Sequence, residues 1–164
     1  MPTISPELLK LFNEQANVEL TISNVYLQMS FWFEEQNYTG ISKYLRKSSD
    51  EERGHGLSLY DYILKRNGVG TLVNLPEISN IVNKNTDALG IFENIYQLEM
   101  DNTDRLVKLA NACIDMKDFR AYNFLEPLLK EQDDAENEIL YIVDKLRQNI
   151  PDTLFFIDKE FQKA

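Results

Sequence analysis

Apolar side chains recur along this chain in alternating steps of three and four residues over four long stretches, roughly 6–35, 41–66, 86–114 and 118–148, and over a short one at about 153–162. That spacing keeps one stripe of a 3.6-residue helix turned toward a core, so it predicts four long helices and a short fifth. Glycine and proline punctuate the chain at Pro2 and Pro6, Gly40, Gly68 to Pro76, and Pro151, while Gly54, Gly56, Gly90 and Pro127 fall inside helical patterns. The turns near 36–40 and 115–117 are short, which makes helices one and two antiparallel and helices three and four antiparallel. The connection 67–85 is long. A helix of ~27 residues spans ~40 Å and ~19 extended residues reach ~60 Å, so this segment can run the length of a bundle and leave helices two and three parallel. The expected fold is all-α: a four-helix bundle with one long crossover and a short C-terminal fifth helix, in a single domain over 1–164.

Each long stretch can be written as a seam of core-facing positions. The first is Leu9, Phe12, Ala16, Glu19, Ser23, Tyr26, Ser30, Phe33, and the second is Ile41, Leu45, Ser48, Glu52, His55, Leu59, Tyr62. The third is Leu89, Phe92, Tyr96, Glu99, Thr103, Leu106, Ala110, Cys113, and the fourth is Ala121, Leu125, Leu128, Gln132, Ala135, Ile139, Ile142, Leu146. All four are apolar at their ends and interrupted in the middle, by Glu19, by Glu52 and His55, by Glu99 and by Gln132. Counted from the two short turns, these interruptions lie ~12 to 17 residues away, which at ~1.5 Å per residue puts them in one layer across the bundle. Three carboxylates facing each other in a core are costly unless a positive charge lies between them, and no lysine or arginine stands on any seam. A bound cation is the economical explanation.

Oxygen-rich ligation with one imidazole suits iron or manganese, and zinc less exclusively. Glu52 and His55 are one helical turn apart and reach the same metal, Glu52 keeps a second oxygen for a neighbouring metal, Glu19 completes the first position and Glu99 holds the second. Gln132 is a weak ligand and better suited to hydrogen bonding beside the site. Tyr26, two turns after Glu19 on the same face, is placed to orient Glu99 or to supply an electron in oxygen chemistry, with ordinary core packing as the alternative. A lone Glu-x-x-His on a helix arises often by chance; four seams interrupted at one height do not. Cys113 reads as a small buried hydrophobe, Phe31-Trp32-Phe33 as packing or a subunit contact, and the stripe Glu131, Asp134, Glu138 as a solvated helix face.

Composition narrows the function classes further. The chain has 164 residues, 43% of them hydrophobic and 27% charged, which suits one globular domain with a sizeable core. Its net charge of −10, from 27 acidic and 17 basic residues, argues against nucleic acid and anionic membrane surfaces as partners. No stretch approaches the ~18 to 20 apolar residues of a membrane span. The start, Met1-Pro2-Thr3-Ile4-Ser5-Pro6, does not resemble a secretory signal, and Cys113 is the single cysteine. The expected compartment is the cytoplasm.

At the layer residues the chain resembles the ferritin family. Asn13-Glu14-Gln15 through Glu19-Leu20-Thr21 and Ser23-Asn24-Val25-Tyr26-Leu27 look like the first ferritin helix. Glu51-Glu52-Arg53-Gly54-His55 looks like the metal-binding turn of the second, Leu98-Glu99 the third, and Phe124-Leu125 with Glu131-Gln132 the fourth. Leu154 to Phe161, with Asp158-Lys159, resembles the fifth helix that closes the four-fold axis of the shell. The resemblance covers essentially the whole chain. It implies an iron storage subunit with ferroxidase activity, in a hollow 24-subunit homo-oligomeric cage that oxidises Fe(II) with O2 or H2O2 at an intra-subunit di-iron centre and stores the ferric mineral. By matching positions, Glu19, Glu52 and His55 would hold one iron and Glu52 with Glu99 the other, beside Tyr26 and Gln132.

Departures from the family pattern refine the expectation. There is no second Glu-x-x-His, and Arg53 stands where bacterioferritins place a haem-ligating methionine, so no haem is expected. Gln132 with Ala135 resembles the animal heavy-chain centre, whereas the common bacterial one has a glutamate at the position of Ala135; the second iron should then be labile. Glu51 and Glu131 match two ligands of a third iron, with Asp134 standing in for another. Gly54 and Leu57 occupy positions where heavy chains carry acidic nucleation residues, and Asn123 and Glu126 align loosely with the three-fold channels. The competing readings are a catalytically silent co-assembling subunit, a metal-free helical binding module, and a DNA-protecting mini-ferritin, which lacks such a fifth helix.

Overall fold

A computed structural model describes residues 2–78 and 86–164 of the chain. Five helices make up the described residues: α1 (Pro6–Glu35), α2 (Thr39–Lys65), α3 (Ala88–Asp115), α4 (Phe119–Arg147) and α5 (Thr153–Lys163). They fall within two residues of the expected ends. The last part of the expected 67–85 connection, residues 79–85, and Met1 lie outside the described residues.

The helix starts follow from local chemistry. The Ser5 hydroxyl accepts from the Leu8 amide with Pro6 at the first helical position, and Asp87 and Asp118 cap α3 and α4 by accepting from the Gly90 and Ala121 amides. α2 has no cap of its own. Instead the buried Asp158 of α5 accepts from the Ile41 amide at 2.9 Å. α5 lies so close across this turn that a β-carbon at Gly40 would stand 2.0 Å from the Asp158 carbonyl oxygen, which is why Gly40 sits inside α2 rather than ending the preceding turn.

The helix ends use a device the spacing pattern did not disclose. Asn37, Asn67, Lys117 and Asn149, each two residues past the end of its helix, adopt left-handed backbone with φ of 65°, 56°, 58° and 52°. Asparagine tolerates that conformation; lysine does so only at a cost. Lys117→Gly is therefore expected to stabilise the chain by about 1 kcal/mol, seen as a higher urea midpoint. An unchanged or lower midpoint would count against this.

Cross-helix bonds define the topology. Ser23 bonds Ser49, and the Ile4 amide donates to the Arg66 carbonyl, so α1 and α2 are antiparallel. Glu99 meets Gln132 and Glu93 meets Arg147, so α3 and α4 are antiparallel. Tyr26 meets Glu99 and Gln15 meets Asn102, which makes α3 antiparallel to α1 and hence parallel to α2. The first part of the crossover climbs α1, tied by Asn13 to Val69 and Thr71 and by Asn17 to Thr71 and Val73.

Two apolar clusters fill the interior. One, toward the α2–crossover end, includes Leu8, Phe12, Leu59, Ile63, Leu106, Cys113 and Leu125; the other includes Met29, Phe33, Ile41, Leu45, Phe92, Ile95 and Ile142. The polar layer separates them. The inner stripe of α3 is Ile91, Ile95, Glu99, Asn102, Leu106, Leu109 and Cys113, while Leu89, Tyr96 and Thr103 of the expected seam are only half-buried. Likewise Ser49 is buried and Ser48 half-buried. A helix packed between two neighbours buries a broader stripe than one seam, so the stripe's centre can fall beside the expected line. The buried cation of the described chain, Arg66, serves the base of the bundle, ~16 Å along α2 from His55. It pairs with Asp118 at 2.8 Å and also donates to the Tyr62 hydroxyl and the Pro2 carbonyl.

Candidate metal centre

Each long helix delivers one part of the layer, because one turn of each points its interrupting residue at the bundle axis. Glu19 of α1, Glu52 of α2, Glu99 of α3 and Gln132 of α4 are all buried, and His55, one turn beyond Glu52, is partly so. Glu19, Glu52 and His55 each offer a ligand atom, and these atoms lie within 4.8 Å of one another. Among the described residues this is the one such group of three.

Glu99 faces the group from α3 with both oxygens already engaged. The Tyr26 hydroxyl donates to Oε1 in a short hydrogen bond, and Gln132 Nε2 donates to Oε2 and also to the Glu99 carbonyl at 3.0 Å. Tyr26 and Gln132 thus act on Glu99 through hydrogen bonds. Glu51 and Glu131 do not join the three-ligand group. Glu51 is exposed and pairs with Lys47 at 3.8 Å. Glu131 is exposed as well, and its carboxylate lies 2.6 Å from Nε2 of His55, whose Nδ1 lies 3.4 Å from Glu52. Asp134 and Glu138 share with them a cleft of about 370 Å³ between α2 and α4, which also reaches Glu52, His55, Gln132 and Ala135.

The electrostatics of the layer are those of a site short of positive charge. Burial pushes the carboxyls of both Glu19 and Glu52 up to about 8, reinforced at Glu19 by the Glu52 charge and at Glu52 by the Glu99, Glu51 and Glu131 charges. Burial raises Glu99 as well, opposed by the Tyr26 and Gln132 donors. Tyr26 is raised far above the usual phenol range by burial and by the Glu99 charge, which keeps it a hydrogen-bond donor. Like-charged groups held together and forced to retain protons are poor at stabilising a fold and well suited to a divalent cation.

Access is one-sided. Glu19 is 1% and Glu99 0% exposed, whereas the His55 side chain is 21% exposed and opens on the α2/α4 cleft. The layer opens to solvent by that face.

Two further polar residues belong to the layer and were not anticipated: Gln15 and Asn102, both buried and both bonded to Glu19. Their signal was present in the numbering, since Gln15 is one turn before Glu19 and Asn102 one turn after Glu99.

Comparison with known proteins agrees with the fold. Residues 9–149 match the family model for the ferritin-like domain. The chain is 33% identical over 161 residues to the bacterial non-heme ferritin of Bacteroides fragilis, covering 96% of this chain and 97% of that protein. It is 32% identical over 162 residues to the one of Escherichia coli O157:H7, covering 96% and 94%. The open-pore ferritin of the archaeon Archaeoglobus fulgidus superposes with a TM-score of 0.91 at 32% identity, over 98% of each chain. An iron-soaked variant of the protein PmFTN superposes with a TM-score of 0.86 at 35% identity, over 93% of this chain and 98% of that one.

Proposed function

The chain belongs to the ferritin family, and we propose from this that it is an iron-storage subunit that oxidises its own cargo. Fe(II) is the substrate, taken up at two adjacent positions in the layer. Glu19, Glu52 and His55 hold the first ion; the second oxygen of Glu52 and a carboxylate oxygen of Glu99 hold the other. The observation that carries this reading is the convergence of Glu19, Glu52 and His55 within ligand spacing, among carboxyls that retain protons for want of a cation.

The donor set fits iron: hard carboxylate oxygens with one imidazole, in a site that leaves room for further ligands. Two Fe(II) ions give up one electron each, and O2, or H2O2, accepts the pair with two protons. The chain's part is to bring the ions together, exclude bulk water and neutralise their charge. Tyr26 and Gln132 hold Glu99 until a second ion draws it off, so the second position fills after the first and binds less firmly. Glu131, at the mouth of the cleft and bonded to His55, passes ions between the layer and the α2/α4 face, with Glu51 beside it in the role of a third, transient position. The ferric product collects inside a homo-oligomeric cage of 24 subunits. The assembled protein works without haem and acts in the cytoplasm; among the described residues no helix is long and apolar enough to cross a membrane.

Anaerobic titration with Fe(II), followed by calorimetry, tests this directly. Two ions per chain in two unequal steps are expected, with Fe(III) appearing on admission of O2 or H2O2. A protein that takes up no Fe(II) at micromolar concentration, or binds it and leaves it reduced under both oxidants, is not a ferroxidase.

A further inference from the structure

Behind Glu19, on the side away from the cleft, two buried amides converge on one carboxylate. Gln15 Nε2 donates to Glu19 Oε1 at 2.8 Å and to Asn102 Oδ1 at 2.8 Å. Asn102 Nδ2 lies 3.3 Å from Glu19 Oε1 and 3.4 Å from Oε2. Gln15 is 4% and Asn102 1% exposed. Burying two amides is costly unless their donors and acceptors are satisfied, and leucine at either position would extend the neighbouring apolar clusters without that cost. Here the donors are spent on Glu19 and on each other.

The arrangement is directional. Of the amide contacts, Oε1 receives a short bond from Gln15 and a longer one from Asn102, while Oε2 receives only the 3.4 Å contact from Asn102. Glu19 also comes within ligand spacing of Glu52 and His55, to which neither amide is bonded. The two amides also come from different helices. Gln15 is anchored to α1 with Glu19 itself, whereas Asn102 is one turn along α3 from Glu99, so the clamp joins the helix of the first position to the helix of the second.

We propose that Gln15 and Asn102 are positioning residues for the first metal position, clamping Glu19 so that it offers Oε2 alone toward Glu52 and His55. A carboxylate so held binds through one oxygen, pays little ordering entropy when the ion arrives, and cannot swing to chelate or to bridge. The clamp is specific to the first position, because neither amide bonds Glu99, and it adds to the difference that the Tyr26 and Gln132 bonds to Glu99 make between the two positions. This inference rests on the functional reading above.

The test uses Co(II) as an anaerobic probe of the assembled parent protein and of two single variants, Gln15→Leu and Asn102→Leu, with calorimetry and visible absorption recorded together. The parent should bind two Co(II) per chain. In each variant the first dissociation constant should rise about 10-fold, the low end of the 10- to 100-fold typical of lost ligand partners. The second constant should hold, and the ligand-field bands of the first ion should weaken as Glu19 becomes free to chelate. Equal weakening at both positions would mean a loosened bundle rather than a lost clamp, and an unchanged first position would mean the amides are packing only; either result overturns the proposal. The substitutions lie on different helices, so a folding defect in one leaves the other to decide. A parent that binds no Co(II) would instead bring down the functional reading itself.

Discussion

Glu52→Gln is expected to give a folded protein that oxidises Fe(II) at least about 100-fold more slowly than the parent and no longer holds two ions side by side, since loss of a mere hydrogen-bonding partner of a ligand already costs about 10- to 100-fold. In the proposed centre Glu52 is the residue common to both positions: it is within ligand spacing of Glu19 and His55, and the Glu99 charge acts on it as well. Glutamine keeps the volume and one oxygen but not the charge, so neither ion retains the carboxylate that would offset its charge against its neighbour. The same substitution should make the metal-free protein more stable at pH 8, not less. Burial and the neighbouring carboxyls push both Glu52 and Glu19 up, which is a cost of keeping them in the core; removing one charge relieves both. A raised urea midpoint with a lost rate separates a defect at the site from a failure to fold. Oxidation at the parent rate, or retention of two Fe(II) per chain, would sink the assignment of Glu52 as the shared ligand.

Much of this was legible in the chain, because both the fold and the site are written in one code, the period of core-facing positions. Four seams gave four helices, and the interruptions at Glu19, Glu52, His55, Glu99 and Gln132 gave a layer, since a helix converts sequence spacing into height almost linearly. The length of the 67–85 connection disclosed the crossover for the same reason. What stayed hidden depends on width and on contacts distant in sequence. Gln15 and Asn102 flank the seams, and a pattern that admits one residue per turn has no place for them until a third helix narrows the gap. Ser49 displaced Ser48 by the same broadening. The capping of α2 by Asp158 could not be read locally, because residues 41 and 158 become neighbours only when α5 folds back. The left-handed ends at Asn37, Asn67 and Asn149 were readable in principle, as asparagine at a helix end is a recognised stop, but glycine and proline drew the boundaries instead.

Filling the site at pH 7 is expected to expel protons, and the metal-free protein should lose stability as pH rises from about 4.5 to about 8. Glu19 and Glu52 stand at 4.5 in an unfolded chain and about 8 in the fold, so in that window the folded state binds protons that the unfolded chain has released. Stability then falls with rising pH, is unpenalised below the window, and levels off above it. Glu138, raised by burial and by Glu51, adds to the same slope, whereas Asp118, lowered by Arg66, titrates only at more acid pH and does not enter it. A divalent ion replaces the retained protons, so its affinity should rise with pH up to about 8 and then flatten. Calorimetry of Co(II) binding at pH 7 in buffers of different ionisation enthalpy measures the protons released, and urea midpoints of the metal-free parent across pH 5 to 9 measure the slope. Glu52→Gln provides the internal control, because it removes one titrating partner and should flatten that slope while leaving the rest of the chain's titration intact. Binding without proton release, or a parent whose metal-free stability falls no more steeply between pH 5 and 8 than the variant's, would show that the layer carries its carboxylates fully ionised and that another charge on the chain compensates them.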